Sequence, residues 1–257
     1  MDRYLKLAEA SLLNTILRDS ASITKPLYRP GDIFKVKSEP VRPLLRHESY
    51  IAYCGFRAAH YLSFLQKLEQ IRVFIDDGTI TRRMKSQGIN GYHTLLYNVE
   101  NFIIRSQGLL ERTLILTDAV LDLGNDPQFI TYNLIVNNGH VKHIRLHATL
   151  KRLRKIAEEH HQDRNEIVHH QEYMQDDLRR LEAYHIHYEA SLRDMIPRKR
   201  AAILKAVKVS TERKARTKWR NEADKFLHAS YPIIEEVLSI LTPVYKRAKE
   251  QFNPKTS

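Results

Sequence analysis

Residues 92–123 carry the longest uninterrupted helical pattern in the sequence. Apolar side chains recur every three or four positions, among them Leu95, Val99 and Phe102, and no proline interrupts them. This spacing predicts one long α-helix with a broad apolar face, and Gly124 is suited to ending it. With only 8 glycines and 9 prolines in 257 residues, the chain is also poor in turn formers. Both features favour an all-α fold over a β-sandwich or barrel.

Most of the remaining chain also predicts helices, which makes roughly seven or eight in total. Asp126 caps a short helix with Pro127 at its first position, and this helix ends near Gly139. Residues 20–45 are the exception, because their four prolines and Gly31 exclude a persistent helix. Further helices are predicted over residues 3–18, 47–76, 141–160, 163–194, 198–228 and from Pro232 onward.

This pattern predicts three regions. An N-terminal helix and a proline-containing segment occupy residues 1–45, a helical bundle occupies residues 46–195, and basic helices occupy residues 196–257. No stretch approaches the apolar length of a transmembrane helix, and the N-terminus lacks the pattern of a signal peptide. We therefore expect a cytoplasmic protein with no membrane association.

The net positive charge of the chain favours a polyanionic partner. Lys and Arg number 42 against 30 Asp and Glu, which gives a net charge of +12 at pH 7. Nucleic acid is the first candidate for such a partner and an anionic membrane the second. Residues 198–220 concentrate this charge, because they hold ten cations and a single acid, Glu212. This run is suited to the phosphate backbone of RNA, although a solvated helix face explains it as well.

The common catalytic motifs are absent from the sequence. It contains no phosphate-binding glycine loop, no zinc-protease motif and no nucleophile elbow. The single cysteine, Cys54, lies in an apolar pattern and is expected to be a buried structural thiol. His140, His143 and His147 fall on one face of the predicted helix, but no carboxylate joins them, so a metal site is disfavoured. We expect no cofactor and no metal.

The segment with the most chemical content is Arg164-Asn165-x3-His169. Asn165 and His169 are four residues apart and share a helix face. A histidine can take a proton from a ribose 2′-hydroxyl or give one to the leaving 5′-oxygen, and an arginine can hold the phosphate. Chance alone places Asn in such an Arg-x4-His pattern about once in twenty chains of this composition. A structural helix face therefore stays an alternative.

RNEIVH at residues 164–169 resembles the Arg-polar-x3-His signature of the HEPN superfamily (higher eukaryotes and prokaryotes nucleotide-binding domains). Residues 97–124, 133–156 and 164–182 resemble a bacterial stand-alone HEPN family. The resemblance implies an up-and-down helical bundle with a core at about residues 90–195, and N-terminal and C-terminal helical extensions. It also implies a homodimer whose two motifs form one cleft.

The same resemblance implies metal-independent endoribonuclease activity, often in toxin–antitoxin or antiphage systems, with an antitoxin or regulatory protein as a possible partner. Some members bind only RNA or protein, which is the alternative interpretation.

By the same resemblance, Arg164 would contact the phosphate, Asn165 would orient it and His169 would act as acid and base. The adjacent His170 also fits the spacing and can take that place. Tyr173, Arg105 and Arg112 are further candidates for contact with RNA, although packing or a solvated face explains each of them too.

Overall fold

The computed structural model describes residues 7, 9, 11–27, 42–169, 176–193 and 198–252. Every regular element in these ranges is helical, which confirms the all-α prediction. Short 3-10 turns at Pro127–Phe129 and Glu158–His160 lie between α-helices. The α-helices are α1 (Ser11–Leu27), α2 (Arg46–Asp77), α3 (Arg82–Ser86), α4 (Gly91–Leu121), α5 (Tyr132–Val136), α6 (Gly139–His143), α7 (Leu146–Ala157), α8 (His161–His169), α9 (Asp176–Arg193) and α10 (Arg198–Gln251).

The chain divides into two compact units, each built from separate stretches. The first contains residues 1–67, 108–158 and 229–257, and the second contains residues 68–107 and 159–228. Helices α2, α4 and α10 each contribute residues to both units. The Arg-Asn-x3-His segment lies entirely within the second unit.

The core of the first unit joins α1, α2 and α4. Leu12, Leu13 and Ile16 form a buried stripe on α1. A Cβ on Gly55 of α2 would overlap the side chain of Ser20, so glycine permits the close approach of these two helices. Cys54 is fully buried, and this burial raises the pKa of its thiol to about 12. The predicted burial of this thiol is confirmed.

The core of the second unit is built around aromatic side chains. The rings of Phe102 on α4 and Phe226 on α10 meet edge to face, with their centroids 5.6 Å apart. Trp219 is only 1 % exposed, so it holds α10 against the unit instead of presenting its ring to a base. These contacts fix the segment of α4 from which Gln107 projects, close to α8.

The first helix whose bounds are described, α1, extends further along the chain than predicted. Instead of ending near residue 18, α1 continues to Leu27 and contains Pro26 in its last turn. At that position the proline removes only one hydrogen bond, while the stripe of Leu12, Leu13 and Ile16 secures the turns before it. Residues 28–41, which hold most of the predicted proline-containing segment, lie outside the described residues.

The helix predicted over residues 141–160 is divided. Arg145 has a φ angle of +58°, in the left-handed region, and it separates α6 from α7. His147 therefore belongs to a different helix from His140 and His143, and the single histidine face expected from the sequence does not exist. The break predicted near residue 162 also occurs earlier, at the 3-10 turn that precedes α8.

One helix spans the C-terminal region where two were predicted. Pro232 does not open a new helix but lies inside α10, as does Pro243. Pro232 is on the exposed side of the helix, where water can bond the carbonyl group that the proline leaves without a partner. Tyr231, Ile234 and Leu238 are buried around it, and each contributes about 1.5–3 kcal/mol on burial. This burial exceeds the effect of the missing hydrogen bond.

Candidate functional site

Helix α8 carries the residues of the Arg-Asn-x3-His segment. Arg164, Asn165 and His169 all belong to this nine-residue helix, so Asn165 and His169 have the i, i+4 relation expected from the sequence. The side chains of Arg164 and Asn165 are half-buried, which leaves part of each accessible to a ligand. His170 and Tyr173 lie outside the described residues, as does the side chain of His169.

A chain of hydrogen bonds links this segment to α4. Arg164 donates from Nη1 to Oδ1 of Asn165 over 3.3 Å. Asn165 Nδ2 lies 3.2 Å from Nε2 of His161, and Nδ1 of His161 lies 3.1 Å from the side-chain amide of Gln107. Both ring nitrogens of His161 are therefore engaged, one within α8 and one across to α4.

The hydrogen-bonding capacity of these groups selects one tautomer of His161. Asn165 presents its oxygen to Arg164, so its amide nitrogen donates to His161 Nε2, which must be the unprotonated nitrogen. In that tautomer Nδ1 carries the proton, and donating it to Gln107 requires the Gln107 amide to turn so that its oxygen replaces the Nε2 that lies 3.1 Å from Nδ1. The arrangement holds Asn165, and through it Arg164, in a defined position.

His160 fixes the beginning of α8. Its Nδ1 lies 3.1 Å from Oδ2 of Asp163, in the first turn of the helix. Its ring meets Phe102 edge to face at 5.8 Å and lies 6.4 Å from the ring of Trp219. The start of α8 is thereby attached to the aromatic core of the second unit, which gives the polar chain a rigid base.

Arg105 and Arg112, the other predicted RNA contacts, both lie on α4 and outside the hydrogen-bonded chain of α8. Arg105 is half-buried on α4 in the second unit, two residues before Gln107. Arg112 is exposed on the same helix, but it belongs to the first unit.

Arg216 has a structural position that its place in the basic run did not indicate. It is 8 % exposed, and it donates to the backbone carbonyls of Ile75 on α2 and Gly91 on α4, each over 2.9 Å. It also pairs with Glu212 one turn earlier on α10 at 2.9 Å. A Cβ on Gly91 would overlap the carboxylate of Glu212, so a larger residue there would displace the acid that pairs with Arg216.

His161 and Gln107 are the site residues that sequence reasoning missed. His161 was detectable in principle, because it lies four residues before Asn165 and so shares its helix face. Gln107 lies 54 residues from His161 in the sequence. No local pattern indicates that contact, which only the packing of α4 against α8 creates.

The described residues hold no arrangement of three or more His, Cys, Asp or Glu side chains suited to a metal ion. Within the same ranges, no helix has the length and apolar character needed to cross a bilayer.

Comparison with known proteins gives a family. No curated protein and no solved structure matches the chain significantly. A family model for HEPN_Cthe2314-like HEPN domains matches residues 58–214, which is more than half of the chain and includes α8 and the Arg-Asn-x3-His segment. HEPN domains are nucleases or RNA-binding domains, and they generally bind RNA and form dimers. On this match, with its all-α fold, the chain belongs to the HEPN superfamily.

Proposed function

We propose that this protein is a metal-independent endoribonuclease that acts as a homodimer. The observation that carries the proposal is the polar chain on α8, in which Arg164, Asn165 and His161 are joined by hydrogen bonds and Gln107 supports them from α4. His169 lies one turn after Asn165 on the same helix. Helix α8 thus combines a cation, an amide and an imidazole, which suffice for cleavage through a cyclic phosphate.

Each residue has a distinct role in this mechanism. Arg164 binds the scissile phosphate and stabilises the charge that develops on it. His169 takes the proton of the 2′-hydroxyl as that oxygen attacks phosphorus, or returns a proton to the departing 5′-oxygen. In a dimer the second copy of His169 can supply the other proton transfer. The products are a 2′,3′-cyclic phosphate and a 5′-hydroxyl end.

Exposed apolar side chains beside the polar chain support pairing of two subunits. Ile104 lies three residues before Gln107 on α4, and Val168 lies three residues after Asn165 on α8. They are 41 % and 46 % exposed. Tyr97, two turns before Ile104, is 66 % exposed. Apolar groups around a polar site are suited to burial by a second copy, which would bring the two α8 segments together.

Substitution of the motif tests the proposal. We expect Arg164→Ala and His169→Ala each to lower the rate of RNA cleavage by at least about a hundredfold. Cleavage by the parent protein should persist in EDTA and leave cyclic phosphate ends, and a 2′-deoxy substitution at the scissile nucleotide should abolish it. Total cellular RNA is the substrate, and gel electrophoresis with end-group analysis is the measurement.

Arg83→Ala and His228→Ala are matched controls, because both residues belong to the second unit and are exposed. They should cleave like the parent. Sedimentation of each variant should give the same oligomeric state. If the motif variants cleave as fast as the controls, the assignment of the catalytic residues is wrong.

We place the activity in toxin or antiphage defence, with an antitoxin or regulatory protein as partner, because the bacterial stand-alone HEPN family that the chain resembles often acts there. In this role the expressed parent chain would inhibit growth, and His169→Ala would relieve the inhibition.

The second candidate is a non-catalytic module that binds RNA or protein. The exposed cations of α10 favour it, because they are suited to holding a polyanion without any chemistry. It is the better description if RNA is retained in a salt-sensitive manner while no product forms.

A further inference from the structure

Nine of the ten cations of residues 198–220 fall into two groups, and the side chain of Arg198 lies outside the described residues. Four of them have defined partners: Lys208 lies over the ring of Tyr188, Arg216 binds two backbone carbonyls, Lys218 pairs with Asp177 and Arg220 pairs with Asp76. All four of these contacts lie within the second unit. The positive charge of these residues is therefore a poor guide to where a polyanion binds.

The second group is exposed and has no ion pair within the described part of the chain. It consists of Lys199, Arg200, Lys205, Arg213 and Lys214. Holding these cations beside one another on a single helix concentrates positive potential along its surface. Binding of a polyanion there would release counterions without breaking any contact that the fold uses.

A groove lies between α9 and α10, within the second unit. Its volume is about 790 Å³, and its walls include Arg180 and Tyr184 from α9 and Lys214 and Lys218 from α10. Arg180 and Lys214 are exposed, and Tyr184 is half-buried.

Asp176 and Asp177 also line the groove. Asp177 pairs with Lys218 through Oδ1 at 3.1 Å, while its Oδ2 is buried and has no hydrogen-bond partner among the described residues. Asp176 is exposed. The groove therefore offers cations for phosphates, an aromatic ring for a base and the exposed carboxylate of Asp176 for a hydroxyl or amine donor.

We infer that this groove binds a single-stranded segment of RNA, as a surface distinct from the Arg-Asn-x3-His residues of α8. The inference rests on the proposed function for its choice of RNA. Arg180 and Lys214 contact the backbone phosphates, and Tyr184 stacks on a base, which requires unpaired nucleotides. An acidic protein would use the cations but would have no need of the tyrosine ring.

Binding by full-length protein carrying His169→Ala tests the inference without interference from cleavage. The probe is a mixed-sequence single-stranded RNA, and its Kd is measured as a function of salt concentration. Adding Arg180→Gln and Lys214→Gln should raise the Kd about tenfold near physiological salt. It should also lower the slope of log Kd against log salt by about 1.4, since each phosphate contact with a single strand contributes about 0.7.

The matched control is the pair Lys246→Gln and Arg247→Gln. It removes one lysine and one arginine, both exposed on α10 but in the first unit, so it changes the net charge equally. The control should leave the Kd within about twofold of the parent. Equal weakening by both pairs would show that affinity follows net charge alone, and would overturn the groove assignment.

Tyr184 supplies a test that does not depend on charge. Tyr184→Leu should raise the Kd about tenfold, and Tyr184→Phe should retain parental binding, because the phenyl ring still stacks. A duplex RNA of the same sequence should show no difference among the three proteins. Identical single-strand affinities for Leu and Phe would remove the base contact from the inference.

The outcomes for the groove and for catalysis are separable. If no RNA is cleaved but binding depends on Arg180 and Lys214, the nuclease proposal fails and the groove stands. If the motif variants abolish cleavage while the groove variants bind RNA as the parent does, the groove fails and the nuclease stands. Tight binding of an acidic protein with no affinity for RNA would overturn the groove assignment in favour of a protein partner.

Discussion

His161 shows how a side chain outside a recognised motif can fix the geometry within it. Its two nitrogens bridge Gln107 and Asn165, and Asn165 in turn accepts from Arg164. The imidazole thus acts through one intermediate, Asn165, on the guanidinium that we propose binds the phosphate. We assign it a positioning role, in which the orientation of its ring matters and its charge does not.

We expect His161→Ala to lower kcat by about tenfold to a hundredfold through misplacement of Arg164, with little change in RNA affinity. His161→Gln should recover most of the activity, because an amide can still bridge Gln107 and Asn165. Both effects would be measured by single-turnover cleavage across a range of pH.

The pH profile distinguishes positioning from proton transfer. If His161 only positions Asn165, the Gln variant keeps the parental profile, which the proposed mechanism assigns to His169. A Gln variant as inactive as His169→Ala would show instead that His161 itself transfers protons.

The types and spacing of residues were enough to predict part of the candidate site. Contacts between residues far apart in the sequence could not be predicted in this way. The spacing of Arg164, Asn165 and His169 was visible in the sequence, because these residues share one helical segment. The burial of Arg216 was not, since nothing local distinguishes it from Arg213, which is exposed three residues earlier. What separates them is the presence of α2 and α4 on one side of α10.

At the scale of elements, Arg216 connects three helices by hydrogen bonds that are buried or partly buried. Its guanidinium joins carbonyl groups at the end of α2 and the start of α4 to α10. Removing it leaves two carbonyl groups and the carboxylate of Glu212 without their donor in a buried region.

We therefore expect Arg216→Met to lower the free energy of unfolding by about 3 kcal/mol. Arg213→Met, an exposed change on the same helix, should alter it by less than about 0.5 kcal/mol. Urea denaturation followed by circular dichroism measures both. Equal stability of the two variants would mean that the Arg216 bonds are not significant in solution.

Helix boundaries were predictable only where apolar periodicity and turn residues agree. The spans of α2 and α4 differ from prediction by a residue or two, because long apolar stripes define them. The end of α1 and the continuity of α10 were predicted wrongly, because Pro26 and Pro232 were given more weight than the neighbouring stripes. The left-handed backbone of Arg145 could not be predicted from the sequence, since arginine rarely adopts that conformation.

At the scale of the whole molecule, stability should depend on pH through a histidine between α4 and α9. His185 Nε2 lies 2.8 Å from the side-chain amide of Asn90, and its ring lies 5.6 Å from that of His93. Burial lowers the pKa of His185, and the positive charge of Lys208 and the proximity of His93 lower it further. Glu189 and Glu212 oppose this shift without reversing it.

Because the pKa is lower in the folded state, the unfolded chain binds the proton more readily. The stabilisation from neutral His185 is therefore complete above the unfolded pKa of about 6.5, and it is lost as the pH falls through the folded pKa.

We expect the urea midpoint of the parent to decrease between about pH 7.5 and pH 5. His185→Gln should reduce that decrease, and His228→Gln, an exposed control, should not. An unchanged pH dependence in His185→Gln would contradict the assignment.

Because the two units alternate along the sequence, they limit where a chimera can be joined. Four junctions, after residues 67, 107, 158 and 228, separate the stretches that alternate between them. A single crossover with a related gene would therefore mix parental sequence inside at least one unit. Exchanging the second unit intact, to transplant the proposed RNA contacts, requires the simultaneous replacement of residues 68–107 and 159–228. Recombination libraries built on this scaffold should place their crossovers in pairs.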